Sequence, residues 1–338
     1  MKFAKEIKPN KKLALELEES FAKIYTDFIY KDIIKILEEK PLPLQNAIQD
    51  EMDPDEYDKQ IKVLRDAFYR GTIYFKDGNI FCDDKKKFGL KLSRAIKTVL
   101  QGKYNNSKKS YKIDLRKINA TIRADIATIE DRVRDKANRI QSVLQAKQNE
   151  ELPSFEEAGK SFDKYMKDIE NKTNFSLKIG VNQYSKENLE RLRKEYIETS
   201  KYYVKKFNND RLPKIREKLA KLTLEKNLSH RSLFKYIQQE FGLDDRRCRF
   251  IARQEGKLAR AEFIQEKAQS NGFDKYKWET SHDEKVRDNP NGEDHKSLDG
   301  KIFSFSKPPV VNHATGRKAN PAQDYNCRCV AKIIVEWD

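Results

Sequence analysis

The chain has 338 residues and a formal net charge of +16, with 37% hydrophobic and 37% charged residues. That is well above the roughly 25% charged of an ordinary globular domain, so a thin core spread along helices is expected, with little room for a deep catalytic pocket. The length suits two or three domains of about 100–200 residues, and no stretch approaches the ~20 apolar residues of a membrane span.

Residues 13–40 form the first predicted helix, because Phe21, Ile24, Phe28, Ile33, Ile36 and Leu37 keep steps of three and four. Pro41 and Pro43 stop it. A second helix is expected over 55–69, with Ile61, Leu64 and Phe68 in register. A hairpin follows near 72–82, where Ile73-Tyr74-Phe75 and Ile80-Phe81-Cys82 flank Asp77-Gly78, a pair suited to a type I′ turn. Helix resumes near 87 and ends by Gly102, and the polar stretch 103–112 reads as a loop.

The longest periodic pattern covers 115–149. Ile118, Ile122, Ile126, Ile129, Val133, Ala137, Ile140 and Leu144 form one apolar seam on a charged helix, which suits either a long bundle helix or a coiled coil. Pro153 breaks the chain, and helices are expected at 155–171, 185–208 and 212–227, the last behind Pro213, with a loop or short strand over 172–184. A further helix runs 232–241 to Gly242, and Asp244-Asp245 open another that ends at Gly272.

The cationic excess points to a polyanionic partner, since phosphate contact releases condensed counterions. Lys201, Lys205, Lys206, Arg211, Lys214 and Lys218, interleaved with Tyr202 and Tyr203, are the candidate DNA-binding residues. The same run also reads as a solvated helix face. Lysine outnumbers arginine, so base-specific readout is not expected. The opening Met1-Lys2-Phe3-Ala4-Lys5-Glu6 has no apolar signal-peptide core, which leads to the expectation of cytoplasmic synthesis.

After Gly272 the texture changes. Tyr276–Thr280, Lys301–Phe305 and Cys329–Val335 alternate like strands, separated by turn-rich segments and a long loop holding Pro308, Pro309, Gly316 and Pro321. The expected fold is therefore mainly α: an elongated helical body with a small C-terminal α+β module of short strands. The expected division is 1–112 (a helical region with the hairpin), 113–240 (a long-helix bundle or arm) and 241–338 (the C-terminal module).

Most of the chemistry sits in that module. It contains a helix with Ala252, Arg253 and Glu255, then Trp278, Asp283, Val286-Arg287, His295, Leu298-Asp299-Gly300, Pro321 and a terminal Asn326-Cys327-Arg328-Cys329. In this order the residues resemble the phage Mu F-like family of head morphogenesis, or minor capsid, proteins over about 245–335. The resemblance implies a minor head component of the virion near the portal, with portal and other head proteins as partners, phage DNA inside the head, and assembly in the host cytoplasm.

Cys327 and Cys329 lie two apart, so an extended backbone turns both to one side. With His295 they offer two sulfurs and an imidazole, a donor set suited to zinc. The pair also reads as buried structural cysteines or as a disulfide. Trp278 is expected beside them, with Asp283 and Arg287 paired at the rim. An enzyme of the nuclease or transferase type, with His295 as base and Arg287 and Glu255 as partners, is the alternative function. No phosphate-cradling glycine loop or paired-carboxylate metal motif accompanies these residues.

Overall fold

The computed structural model describes residues 2–39, 54–70, 72–76, 79–82, 89–113, 120–180, 183–224 and 230–335. Among these residues lie helices α1 (Lys11–Glu38), α2 (Pro54–Tyr69), α3 (Leu90–Leu100), α4 (Ala120–Asn149), α5 (Glu156–Leu177), α6 (Gln183–Leu224) and α7 (His230–Gln269). The strands are β1 (Tyr74–Lys76), β2 (Asn79–Phe81), β3 (Lys103–Asn105), β4 (Ser110–Lys112), β5 (Lys275–Glu279), β6 (Ile302–Ser304), β7 (Val310–Asn312), β8 (Arg317–Lys318) and β9 (Val330–Ile333). The protein is mainly α, with small antiparallel sheets. It divides into two compact units: Met1–Thr26, Leu152–Phe207 and Asp245–Asp338 form the first, and Asp27–Glu151 and Asn208–Asp244 the second.

In the second unit, α2 and α3 share a core with a four-stranded sheet of order β1-β2-β4-β3. The segment expected to be a loop at 103–112 is a hairpin, with Lys103 opposite Lys112 and Tyr104 opposite Tyr111. Its strands are only three residues long and mostly polar, so they carry too little alternation to be legible. The turn at Asp77-Gly78 and the helix stops at Pro41 and Pro43 lie outside the described residues. On α4, Val133, Ala137, Ile140 and Leu144 are buried, so this half of the apolar seam is a packing surface. The seam's Ile118, Ile122, Ile126 and Ile129 fall among side chains outside the described set.

Two expected helix breaks are absent, and a third is shorter than expected. Helix α5 continues to Leu177, into the first part of the segment assigned to a loop or strand, and buries Thr173, Asn174 and Leu177. Helix α6 runs straight through Pro213. A proline inside a helix costs about 3 kcal/mol, but Leu212, Ile215 and Leu219 are buried around it, and each such burial contributes about 1.5–3 kcal/mol. Helix α7 likewise continues through Gly242, where glycine costs only about 1 kcal/mol relative to alanine.

Asp244, read as part of a helix start, is instead buried within α7. Its carboxylate accepts from Tyr30 Oη at 2.5 Å and faces Arg211 Nε at 3.3 Å. Burial pushes the Asp244 carboxyl up to about 6, opposed by those two partners. Arg211 also pairs with Glu240. Its guanidinium is thus engaged by internal carboxylates.

In the first unit, a helical core unites Leu17 of α1, Phe162, Tyr165, Met166 and Ile169 of α5, Leu192 and Tyr196 of α6, and Ala259 and Phe263 of α7. Gly256 lets α7 approach α1 closely, because a Cβ there would lie 2.8 Å from Leu17 Cδ2. A second core holds the C-terminal sheet, of order β6-β5-β9, with the central strand β5 antiparallel to both neighbours. Residues 2–4 add to the β9 edge: Ala4 N donates to Ile333 O and Val335 N to Lys2 O, both at 2.9 Å. The long loop before the cysteines carries a hairpin of its own, β7 with β8, unforeseen because two or three residues per strand show no periodicity.

Candidate functional site: a buried Cys-His-Asp cluster

Strand β5 alternates, so Tyr276 and Trp278 point into the module core while Lys275, Lys277 and Glu279 do not. Trp278 is fully buried and stands edge-on to the His295 ring, with centroids 5.6 Å apart. Gly300 brings the chain back beside it: Gly300 N donates to Trp278 O at 2.9 Å, and Trp278 N to Lys301 O at 2.8 Å. Gly300 adopts φ +75°, a left-handed conformation that strains any residue with a Cβ. Asp299 braces the turn by accepting from Thr280 N at 2.8 Å.

His295 caps a short 3-10 turn at Lys296–Leu298. The chain from Cys327 to Cys329 is extended and leads into β9, so both sulfurs face inward and Arg328 faces out. His295 Nδ1 lies 3.5 Å from Cys327 Sγ and 3.6 Å from Cys329 Sγ. The opposite ring nitrogen, Nε2, is 3.1 Å from Asp324 Oδ2. Cys329 N donates to Cys327 Sγ at 3.4 Å. Four of the sequence-predicted residues, Trp278, His295, Cys327 and Cys329, are thus brought together.

Asp324 is the group that sequence reasoning missed. Its side chain is 2% exposed, and it receives Arg287 Nη1 at 2.8 Å, Arg317 Nη2 and His295. Three cationic or polar donors on one buried carboxylate overcome the burial that would raise it, and they hold it well below the usual carboxylate range. Burial opposes charge on His295, yet Asp324 and Cys327 prevail and raise it to about 9. Hydrogen bonding from Cys329 and His295 lowers the Cys327 thiol, while the same neighbour raises Cys329.

The rim differs from expectation. Asp283 pairs with Arg328, with Oδ1 2.6 Å from Nη2. Arg287 turns inward to Asp324 and also binds Glu293 at 2.7 Å. The expected Asp283–Arg287 pair is replaced because Arg328, outward on the Cys-x-Cys segment, reaches Asp283 first.

Helix α7 connects this cluster to the helical core through three consecutive residues. Successive helix positions diverge by about 100°, and each finds a different partner. Arg253 forks onto Glu18 of α1 at 2.5 and 2.7 Å. Gln254 Oε1 accepts from Asn326 N at 2.9 Å; Asn326 has φ +54°, which asparagine tolerates better than most residues. Glu255 is buried close to Tyr196 of α6.

Burial alone pushes Glu255 up to about 7 from 4.5. The folded state thus holds this proton more tightly than the unfolded state. Its contribution is present below about pH 4.5 and is lost as the pH rises through 7. In Glu255→Gln that loss should vanish, so the urea midpoint of the variant relative to wild type should climb between pH 5 and pH 8. An offset that stays constant with pH would contradict an ionising Glu255.

Chemically, Cys327, His295 and Asp324 have the order of a nucleophile, base and orienting carboxylate. Access argues against that use: Cys327 and Cys329 are 4% exposed and His295 2%. Residues 214–332 match the family model described as Phage Mu protein F like protein, so the C-terminal part of the chain is similar to that family. An uncharacterized protein of Haemophilus influenzae is 34% identical over 92 residues, covering 27% of this chain and 18% of that protein. The chain thus spans less than a fifth of that relative's length. No solved structure matches the chain.

The remaining candidates, on α6, divide between the units. Lys205 and Lys206 are exposed in the first, beside exposed Tyr202 and Tyr203, and Lys201 is half-buried with its ammonium 5.8 Å from the Phe155 ring. Lys214 and Lys218 are exposed in the second, with Lys218 5.5 Å from the Tyr236 ring. No helix among the described residues is long and apolar enough to cross a membrane.

Proposed function

We propose that this protein is a minor component of a phage head, acting in head morphogenesis near the portal by binding rather than catalysis. The observation that carries this reading is the match of residues 214–332 to the Mu F-like family. The low exposure of the sulfurs and imidazole in the Cys-His-Asp cluster supports a structural role. Portal protein and other head proteins are the proposed partners, and the virion the proposed location. A tagged chain recovered from phage-producing cells should bring down portal protein at low stoichiometry. Recovery with no head protein would count against the reading.

Non-specific contact with packaged DNA is the proposed second activity, supported by the net charge of +16 and by exposed Lys205, Lys206, Lys214 and Lys218. Duplex affinity should fall at least about tenfold between 50 and 200 mM salt. Replacing Lys205 and Lys206 together by alanine should reduce the salt slope by about two. Binding insensitive to salt, or confined to one sequence, would rule this contact out.

A further inference from the structure

We propose that His295 Nδ1, Cys327 Sγ and Cys329 Sγ form a tetrahedral zinc site with Asp324 as the orienting carboxylate, and that this site holds the C-terminal sheet to its preceding turn. Among the described residues these three offer ligand atoms that all lie within 4.8 Å of one another.

The distances fit the ion. Zinc lies about 2.3 Å from a thiolate and about 2.0–2.1 Å from an imidazole nitrogen, so a tetrahedral angle sets nitrogen and sulfur about 3.6 Å apart. The observed separations are 3.5 and 3.6 Å. The imidazole is also held as a zinc ligand requires. Nδ1 faces the sulfurs, and the proton belongs on Nε2, 3.1 Å from Asp324. Ligating histidines commonly donate their second ring N–H to a carboxylate in this way. Arg287 and Arg317 fix Asp324 from its other side.

An independent observation points into the same space. Trp278 is fully buried, and its indole N–H has no conventional acceptor. Its side chain lies beside Cys329. The backbone N–H of Cys329 is directed at Cys327 Sγ, at 3.4 Å. That N–H suits a thiolate at Cys327, and the unpartnered indole N–H beside Cys329 marks the same space as polar. Two adjacent thiolates repel unless a cation lies between them. The three side chains supply three positions of the tetrahedron.

Full-length protein purified without chelator, in buffer containing zinc chloride and then desalted, should retain close to one zinc per chain. Replacing the zinc with Co²⁺ should give the visible bands of a tetrahedral cobalt–thiolate centre. Cys82→Ser/Cys248→Ser should keep the metal, and Cys327→Ser/Cys329→Ser should lose it. Should that last variant fail to fold, Asp324→Asn decides: zinc affinity should fall about 10- to 100-fold with the ligands intact. Retention of zinc near zero in the wild type, or cobalt bound without thiolate bands, would overturn the site. So would selective alkylation of Cys327 in the presence of excess zinc, which would instead mark a free nucleophile.

Discussion

Replacing Asp324 by alanine should destabilise the first unit by about 3–5 kcal/mol, the cost of removing one partner from a buried charged network. The side chain is 2% exposed and binds Arg287, Arg317 and His295 at once. Its loss leaves buried His295 without its partner on Nε2 and removes one acceptor from Arg287 and Arg317. It also frees the backbone, because Asp324 Oδ1 accepts from Tyr325 N at 2.8 Å just ahead of the Cys-x-Cys segment. Asp324→Asn keeps an acceptor and the shape but not the charge, so it should cost less. Urea unfolding followed by the fluorescence of buried Trp278 reads the effect directly. A loss under about 1 kcal/mol would show that the network is dispensable.

In the second unit, Ile140→Asp should cost at least about 3 kcal/mol, since it combines lost apolar burial with an unpaired buried charge. Ile140 is fully buried, as are Ala137 and Leu144 beside it on the same stripe of α4. The cations of this helix are already engaged: Lys136 donates to Leu37 O and Glu39 O, at 3.2 and 2.7 Å, and Arg139 forks onto the Glu39 carboxylate. A variant whose circular-dichroism melt matches the parent within a degree or two would mean that this stripe does not carry the packing.

Much of this architecture was legible because period and turn chemistry are local. The steps of three and four marked α1, α2 and α4, and alternation marked β5, β6 and β9. The neighbourhood of Trp278, His295, Cys327 and Cys329 was legible from residue type and from the two-residue spacing of the cysteines. What escaped were choices made by tertiary contact. Pro213 and Gly242 are helix breakers in isolation, yet buried neighbours keep α6 and α7 whole. Asp324 is one carboxylate among 54 acidic residues, and nothing local marks it as the one facing His295. The exchange of Arg287 and Arg328 as partners of Asp283 has the same origin, since ion pairs follow proximity in the fold and not order in the chain. Arg211 carried the composition of a phosphate contact and is engaged by internal carboxylates.

The most direct test of the proposed role is peptide mass spectrometry on heads purified from phage-producing cells, with and without the gene for this chain. Heads made with it should contain peptides from the 230–335 region at a few copies per particle, and heads made without it should be fewer or malformed. Normal heads in both cultures, with the chain recovered only in the soluble fraction, would contradict a role in head morphogenesis.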